Sequence, residues 1–480
     1  METLQRTANR GSVSTGYDID NSCKFEDDND EWLYRANVSG TNTKTWTVSW
    51  WFKQTELRSV NGAATEHWTG GAYGEATRAG IYADDRIWID IGGGDGNTGT
   101  LFRSLSTQLI RDTSAWYHIV IACDSTQSTE ANRLKVWLNG VEVTAWDQKQ
   151  YPTLNFGSAL AGFGGIQMKW GSADATYHGY SGYLAECNYL DGVTATQNDF
   201  GEFDDDSGIW KPKAYTGSYG TNGTYLDFAD ASDLGDDESG NGNDYTETNI
   251  TAADQATDTP TNNFCTWNTI PYYNTNYSFA NGATEVVRAS GTGWTTAYSS
   301  IGANKGKWYA EFQVLTSGNY LMNGNVPLAK IQSVYATQFY LGSDASAGAG
   351  AGYYSSGTTG NDAIYHDAGF TSSGVTTSAG DIISVAMDCD NNKIHFAVNG
   401  TYTNSSNPAT NTNGFNMTDD YQFFAHSTLT GDQVFKNNFG GFTTISISSA
   451  ASDANGYGTF EYAPPSGFYA LNTKNLAEYG

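Results

Sequence analysis

The chain has 480 residues, enough for two or three domains with cores of ordinary size. Gly is abundant at 55 residues and aromatics reach 14%, which with short alternating apolar runs is an all-β profile, not a disordered one. Lys plus Arg number 24 against 52 Asp plus Glu, and the formal charge of −28 excludes nucleic-acid and anionic-membrane binding while allowing divalent cations.

Residues 1–20 read as an extended polar arm of the kind that is disordered or is ordered by a partner. METLQRTANRGSVSTG has no apolar core, so no secretory signal is expected. No run approaches the roughly 20 apolar residues of a membrane helix, so no membrane insertion is expected. Strand material starts at Ser22–Phe25, followed by the acidic cluster Asp27, Asp28, Asp30 and Glu31. In KTWTVSWWFKQ (44–54), Trp46, Val48, Trp50 and Phe52 share one face. GIYADDRIWIDIG (80–92) predicts two strands around Asp84-Asp85. A hairpin follows, HIVIACD (118–124) then LKVWLNG (134–140), with Leu134, Val136 and Leu138 on one side and Asn139-Gly140 as the turn. YSGYLAECNYLDGV (180–193) is a further strand, with a short helix expected at 195–202.

Trp116, His118, Asn139, Gly140, Gly182, Leu184, Ala185 and Glu186 fall where a laminin-G-like domain has its W-x-H, N-G and G-x-L-A-E signatures. The stretch 21–200 therefore resembles that concanavalin-A-like jelly roll.

Residues 201–261 are acidic, rich in Gly and Asn, and poor in apolar residues. They read as a connector that packs at Trp210, Tyr225, Leu226 and Phe228. The phrases IWKPKAYTG, YGTNGTYLDF, DESGNGNDYT and TDTPTNNF resemble linkers in structural proteins of marine tailed bacteriophages. Asp237, Ser239, Asn241 and Gly242 repeat the opening of an oxygen-ligand calcium loop, in which a sharp Gly turn presents successive oxygens to the ion. Its twelfth position is Thr248, with Glu247 one place early, and the alternative is a solvated Gly/Asn turn. Asp204, Asp205 and Asp206 form a second acidic cluster that reads as a charged loop.

The device of strand, turn, strand and Asn-Gly recurs at 380–400, GDIISVAMDCDNNKIHFAVNG. Ile383, Val385, Met387, Ile394, Phe396 and Val398 alternate as half-buried strands do. With GKWYAEFQV (306–314), QFFAHSTLTGDQVFKNNFG (422–440) and YAPPSGFYALNT (462–473), residues 262–480 resemble a SPRY domain, itself a concanavalin-like sandwich.

Motifs for chemistry are absent: there is no GxSxG, HExxH or P-loop. Five cysteines (Cys23, Cys123, Cys187, Cys265, Cys389) lack CxxC spacing, which indicates neither zinc nor a disulfide framework. His118 and His395 sit on strands and read as packed side chains. RIWIDIGGG offers Asp90 alone, and Glu186 and Asp191 are odd-spaced, so no glycosidase-like carboxylate pair is visible and no enzyme is expected. Trp68, Trp294, Tyr353 and Tyr354 lie near Gly-rich segments and are candidate sugar-stacking rings. For each of them the alternative is an ordinary ring buried in a strand.

The expectation is thus two concanavalin-A-like jelly-roll β-sandwiches in tandem, joined by the acidic connector. The resemblances imply a phage virion structural protein, a fibre, appendage or decoration subunit acting as a lectin-like adhesin for host-surface glycans. They imply assembly in the host cytoplasm, location in the virion, and partners among other virion proteins and sister subunits, with a trimer by analogy to fibres. Calcium is the one cofactor suggested. A structural spacer without glycan binding and a divergent polysaccharide-cleaving enzyme are the alternatives.

Overall fold

Trp, Val, Ile and Phe at alternate positions make strands, and the Gly/Asn runs between them make turns. The computed structural model describes residues 16–36, 42–57, 64–71, 76–93, 99–160, 167–171, 179–270, 277–288, 292–315, 320–331, 339–345, 348, 350–356, 362–431 and 433–480. Two units divide the chain, Ser14–Thr261 and Asn262–Gly480.

The first unit begins with β1 (Ser22–Phe25), β2 (Trp32–Ala36), β3 (Thr45–Gln54), β4 (Thr65–Gly70), β5 (Thr77–Ile81) and β6 (Arg86–Gly92). It continues through β7 (Leu101–Leu109), β8 (Tyr117–Asp124), β9 (Leu134–Leu138), β10 (Val141–Glu142), β11 (Trp146–Lys149), β12 (Gln167–Trp170) and β13 (Gly182–Asp191). Short strands close it: β14 (Gly201–Phe203), β15 (Trp210–Pro212), β16 (Thr224–Leu226), β17 (Thr246–Thr248) and β18 (Gln255–Ala256). One sheet holds the hairpin and runs β10-β9-β8-β3-β13-β1-β18; the facing meander sheet runs β11-β7-β6-β5-β4-β12-β2-β17.

The second unit comprises β19 (Tyr277–Ala280), β20 (Glu285–Arg288), β21 (Thr292–Tyr298), β22 (Lys307–Gln313), β23 (Leu321–Pro327), β24 (Gly352–Ser355), β25 (Ala363–His366) and β26 (Gly369–Ser372). After these come β27 (Ile382–Asp388), β28 (Lys393–Val398), β29 (Thr401–Tyr402), β30 (Phe415–Asn416), β31 (Gln422–Thr430), β32 (Gln433–Asn438) and β33 (Tyr469–Ala470). Its hairpin sheet runs β29-β28-β27-β22-β32-β20-β19, and its meander sheet runs β26-β25-β24-β23-β31-β21. The orders match strand for strand: β10-β9-β8-β3-β13-β1 corresponds to β29-β28-β27-β22-β32-β20, and β7-β6-β5-β4-β12-β2 to β26-β25-β24-β23-β31-β21. Both units are all-β jelly-roll sandwiches of the concanavalin-A-like kind.

Each core lies between its two sheets. Trp46, Val48, Trp50 and Phe52 meet Ile87, Ile89, Ile91 and Trp170 in the first. Trp308, Phe312, Ile383 and Phe396 meet Leu321, Tyr353, Ile364 and Phe424 in the second.

The reading of half-buried strands needs correction. β13 and β27 are buried at every residue, and β3 at every residue after its first, so both faces of each hairpin sheet are covered. In the first unit the cover is the run from Val193 to Trp210, with Ala195 and Phe200 on Val120 and Leu190. Trp210 seats on a His118–Trp51 stack, with Trp51 and His118 ring centroids 4.6 Å apart. In the second unit Phe460 and Phe468 cover Tyr309 and Ala386.

The segment 201–261, set apart by composition, is built into the first unit, where β16 pairs β13, β17 pairs β2 and β18 pairs β1. The helix expected at 195–202 is a single 3-10 turn, Gln197–Asp199. Of the arm, residues 1–15 lie outside the described residues, while Ile19 is tied through its N–H and C=O to the Thr261 hydroxyl. A C-terminal helix, Thr473–Tyr479, starts on the Asn472 side chain, which accepts from Asn475 N–H.

The repeated Asn-Gly turns are alike in detail. Asn139 and Asn399 both have φ 46° and precede Gly140 (φ 78°) and Gly400 (φ 75°), a two-residue turn with left-handed backbone at both positions. The Asn139 Oδ1 accepts from His118 N–H at 2.7 Å, and Asn399 Oδ1 accepts from Ile382 N–H at 2.9 Å. Each side chain thus ties the turn to the start of the hairpin's first strand. Replacement by Ala loses this acceptor and the tolerance for positive φ, so Asn139→Ala and Asn399→Ala are each expected to cost about 1–2 kcal/mol. Denaturant midpoints of the single variants measure this.

Candidate functional site

With both hairpin sheets covered, the outer faces of the meander sheets are where function has room, and the two differ in chemistry. In the first unit β4, β5, β6 and β7 bring Glu66, Arg78, Asp90 and Arg103 together. Arg78 spans the two carboxylates, at 3.0 Å from Glu66 and 3.3 Å from Asp90. Arg103 holds Asp90 through Nε and a second guanidinium nitrogen, both at 2.8 Å. The Arg78 guanidinium lies 4.7 Å from the centre of the Trp88 ring. Sequence reasoning found Asp90 and missed Glu66, because only the antiparallel register of β4, β5 and β6 brings them to one face. Both carboxylates are engaged by guanidinium, unlike the acid and nucleophile that flank a glycosidic bond.

In the second unit the same face is aromatic. On β24 and β25 the pleat sends Tyr354 and Tyr365 outward and Tyr353 and Ile364 into the core. Tyr365 stands opposite Phe370 in register, with ring centroids 5.6 Å apart. Tyr354 reaches Tyr365 at 5.3 Å and Tyr320 at 6.1 Å. The segment 339–343 lies against this face because Gly352 leaves room: a Cβ there would stand 2.8 Å from the Leu341 Cβ. Tyr340 is thereby set between Trp294, 4.9 Å away, and Tyr365, 6.1 Å away. The strip runs Trp294, Tyr340, Tyr365, Tyr354, Tyr320, with Phe370 beside it. Phe370 is 69% and Tyr320 46% exposed. Burial pushes the Tyr354 phenol up to about 12, so it is an uncharged donor and acceptor. A Lys330–Asp344 ion pair lies on the flanking segments.

Of the four candidate rings, Trp294 and Tyr354 belong to this strip. Trp68 and Tyr353 do not. Trp68 is 1% exposed in the first core, stacked on Tyr189, and Tyr353 is fully buried beside Phe396. Neither ring has a face open to a sugar. Tyr320, Tyr340, Tyr365 and Phe370 were missed because they come from separate turns and strands that only the sheet assembles.

The loop suggested for calcium is filled by its own donors. Asp237 Oδ1 accepts from the N–H groups of Tyr225 and Ser239, and Oδ2 from Ser239 Oγ and Asn243 N–H. Asn241 turns its amide nitrogen to the carbonyls of Gly220 and Gly223. A calcium site presents oxygens, whereas N–H groups converge here, so Asp237, Ser239 and Asn241 form a turn pinned to 220–223. Asp204 likewise accepts from the Asp206 and Ser207 N–H groups. Among the described residues no three His, Cys, Asp or Glu side chains are placed to hold a metal.

His118 is a packed side chain, taking Trp210 Nε1–H on Nδ1 at 2.9 Å, and burial pushes it down to about 3. Glu186 and Asp191 do not converge. Asp191 accepts from the Asn42 and Asn222 N–H groups. Glu186 sits at φ 51° in a β-bulge of β13, within a half-buried ring of oxygens. Tyr17 Oη lies 2.9 Å from Glu186 Oε2 and 2.9 Å from Tyr225 Oη, which is 2.8 Å from Glu186 Oε1. Three contacts need three protons and the phenols bring two, so the ring closes when the carboxyl carries the third. Burial pushes Glu186 up to about 7, in the same direction.

No protein-family model matches this chain, and no curated protein matches it. Solved structures resemble it at low identity. Mouse laminin α1 chain domains LG4-5 are 9% identical, aligned over 93% of this chain and 88% of that one, with a TM-score of 0.30. The SPRY domain of human HERC1 is 14% identical over 35% of this chain and 90% of its own, with a TM-score of 0.24. A candidate carbohydrate-binding protein from Bacteroides ovatus is 14% identical over 49% and 60%, with a TM-score of 0.33.

Two outcomes follow from the buried carboxylates. Asp237→Ala strands several N–H donors and is expected to cost about 1–3 kcal/mol, equally with calcium and with chelator, in thermal or denaturant unfolding. Glu186 has its folded value raised above the unfolded one, so its stabilising contribution is full below the unfolded value and is lost as pH rises through about 7. Up to about 3 kcal/mol is expected to disappear between roughly pH 4 and pH 8, and this pH dependence to be absent in Glu186→Gln, whose amide keeps a donor and an acceptor in the ring.

Proposed function

We propose that this chain is a carbohydrate-binding protein whose recognition surface is the outer aromatic strip of the second unit. The observation that carries this is the row of Trp294, Tyr340, Tyr365, Tyr354 and Tyr320, with neighbouring ring centroids 4.9–6.1 Å apart. Ring faces stack on the apolar faces of pyranoses, and phenol hydroxyls supply hydrogen bonds at the edges. A chain of charge −28 repels anionic polymers, so the ligand is an uncharged glycan. Binding rather than catalysis fits the state of Glu66 and Asp90 on the first unit's meander face, both clamped by guanidinium.

The biological setting we infer is a tailed-phage virion, with the chain as an appendage or decoration subunit that adheres to host-surface glycans. Support for that setting is the resemblance of the 201–261 phrases to phage structural proteins. The test is binding of the purified chain to an array of neutral and anionic bacterial surface glycans. Saturable binding to neutral glycans is expected, weakened roughly 3- to 10-fold by Tyr354→Ala and by Tyr365→Ala, as expected for about 0.5–1.5 kcal/mol per ring. Absence of binding, or binding unchanged in the double variant, overturns the assignment and leaves the spacer role.

A further inference from the structure

The first unit holds a buried charged triad that is no part of its apolar core. Lys24, on β1, is 2% exposed, and its Nζ lies 2.8 Å from both carboxylate oxygens of Glu31 and 2.8 Å from Oδ1 of Asp254. Glu31 is 4% exposed, and its Oε1 accepts from Asn29 Nδ2 at 3.2 Å. Asp254 lies beside Lys24 because β18 pairs β1, with Cys23 opposite Gln255. The other Asp254 oxygen, Oδ2, accepts from Thr251 N–H at 2.8 Å and from Thr251 Oγ at 3.1 Å. One amine, one carboxyl with its far oxygen in a pair of donors, and a second carboxyl touching the amine are the parts of an amide-forming site.

We propose that Lys24 and Asp254 become joined by an intramolecular amide bond, with Glu31 as the proton relay. The Nζ–Cγ bond forms and the Cγ–Oδ1 bond breaks. Negative charge developing on Oδ2 meets the Thr251 N–H and hydroxyl. Two of the three ammonium protons leave with Oδ1 as water, passed by way of Glu31, and the third stays on the amide nitrogen. Glu31 ends as it began, and no oxidant, reductant or co-reactant is consumed. The driving force is the cost of holding the Lys24 ammonium and the Asp254 carboxylate out of water, a pair of charges that the amide replaces with a neutral group. Desolvation pushes Glu31 up, which suits a carboxyl that carries and returns a proton. In the neighbouring buried pair, Lys53 and Asp258 at 2.7 Å, the Asp258 Oδ1 is taken by Trp116 Nε1–H.

The proposal rests on the first unit alone and is independent of the aromatic strip. The test is intact mass of the denatured full-length chain, followed by peptide mapping. Wild-type protein is expected to weigh one water less than its sequence, and its digest to contain one branched peptide holding residues 24 and 254. Lys24→Arg and Glu31→Gln are expected to restore the full mass, with near-ultraviolet circular dichroism reporting that each variant is folded. A full-mass wild type with residues 24 and 254 in separate peptides overturns the proposal without any variant, leaving a noncovalent ion triad. A water deficit mapping to Lys53 and Asp258, or persisting in Lys24→Arg, overturns it too.

Discussion

A sheet apolar on both faces must be covered on both, and that constraint shapes each unit. On β3 the inward residues are Trp46, Val48, Trp50 and Phe52, while the alternate ones are Thr47, Ser49, Trp51 and Lys53, all buried. Each of the polar three meets a partner: Thr47 Oγ1 donates to Val193 O, Ser49 pairs with His118, and Lys53 binds Asp258. Burying such groups unpaired would cost more than the covering segment gains, so the cover must carry matching acceptors and donors. The second unit meets the same demand with Glu311, whose carboxylate accepts from the N–H groups of Glu461 and Tyr462, from Tyr309 Oη and from Asn438 Nδ2. There the cover is the tail, held to the sheet by that buried acid, by the pairing of β33 with β22 and by Asn438 Nδ2, which donates to Thr459 O.

The fold was legible because alternation is a local property. The Asn-Gly turns, the hairpins and the inward sets on β3, β22, β27 and β28 follow from neighbours in sequence, and the resemblance to laminin-G and SPRY domains follows from their order. What alternation did not reveal was the state of the second face. Thr47, Ser49 and Lys53 look solvent-facing until segments well over a hundred residues away supply Val193 and Asp258. The composition of 201–261 misled for the same reason. A stretch poor in apolar residues looks like a tether, yet short strands pair through backbone groups and need few apolar side chains.

The candidate site was half legible. Tyr353 and Tyr354 are indistinguishable by composition, and only the pleat, fixed by the pairing of β24 with β25, decides which one faces out. Trp68 failed because a Gly-rich context suggests exposure, whereas a bulge between Glu66 and Trp68 in the pairing of β4 with β5 accompanies its turn inward. The Asp237 loop failed on donor direction. D-x-S-x-N-G fixes where oxygens can sit, but not whether the turn closes on an ion or on its own N–H groups, and here the carboxylate is already satisfied.

Because the two sandwiches share one strand order, their differences mark where each has been specialised. On the meander face the first unit places opposed charges that cancel in place, Arg78 and Arg103 against Glu66 and Asp90, which stiffens the sheet and leaves little for a ligand. The second unit places rings there, and rings keep their free energy of contact until something covers them. At the margins the contrast runs the other way. In the first unit the strands nearest its two ends, β1 and β18, pair with each other and bury Lys24 against Glu31 and Asp254. The same topology, repeated once, presents paired charge in one copy and a row of rings in the other by changing which side chains face out.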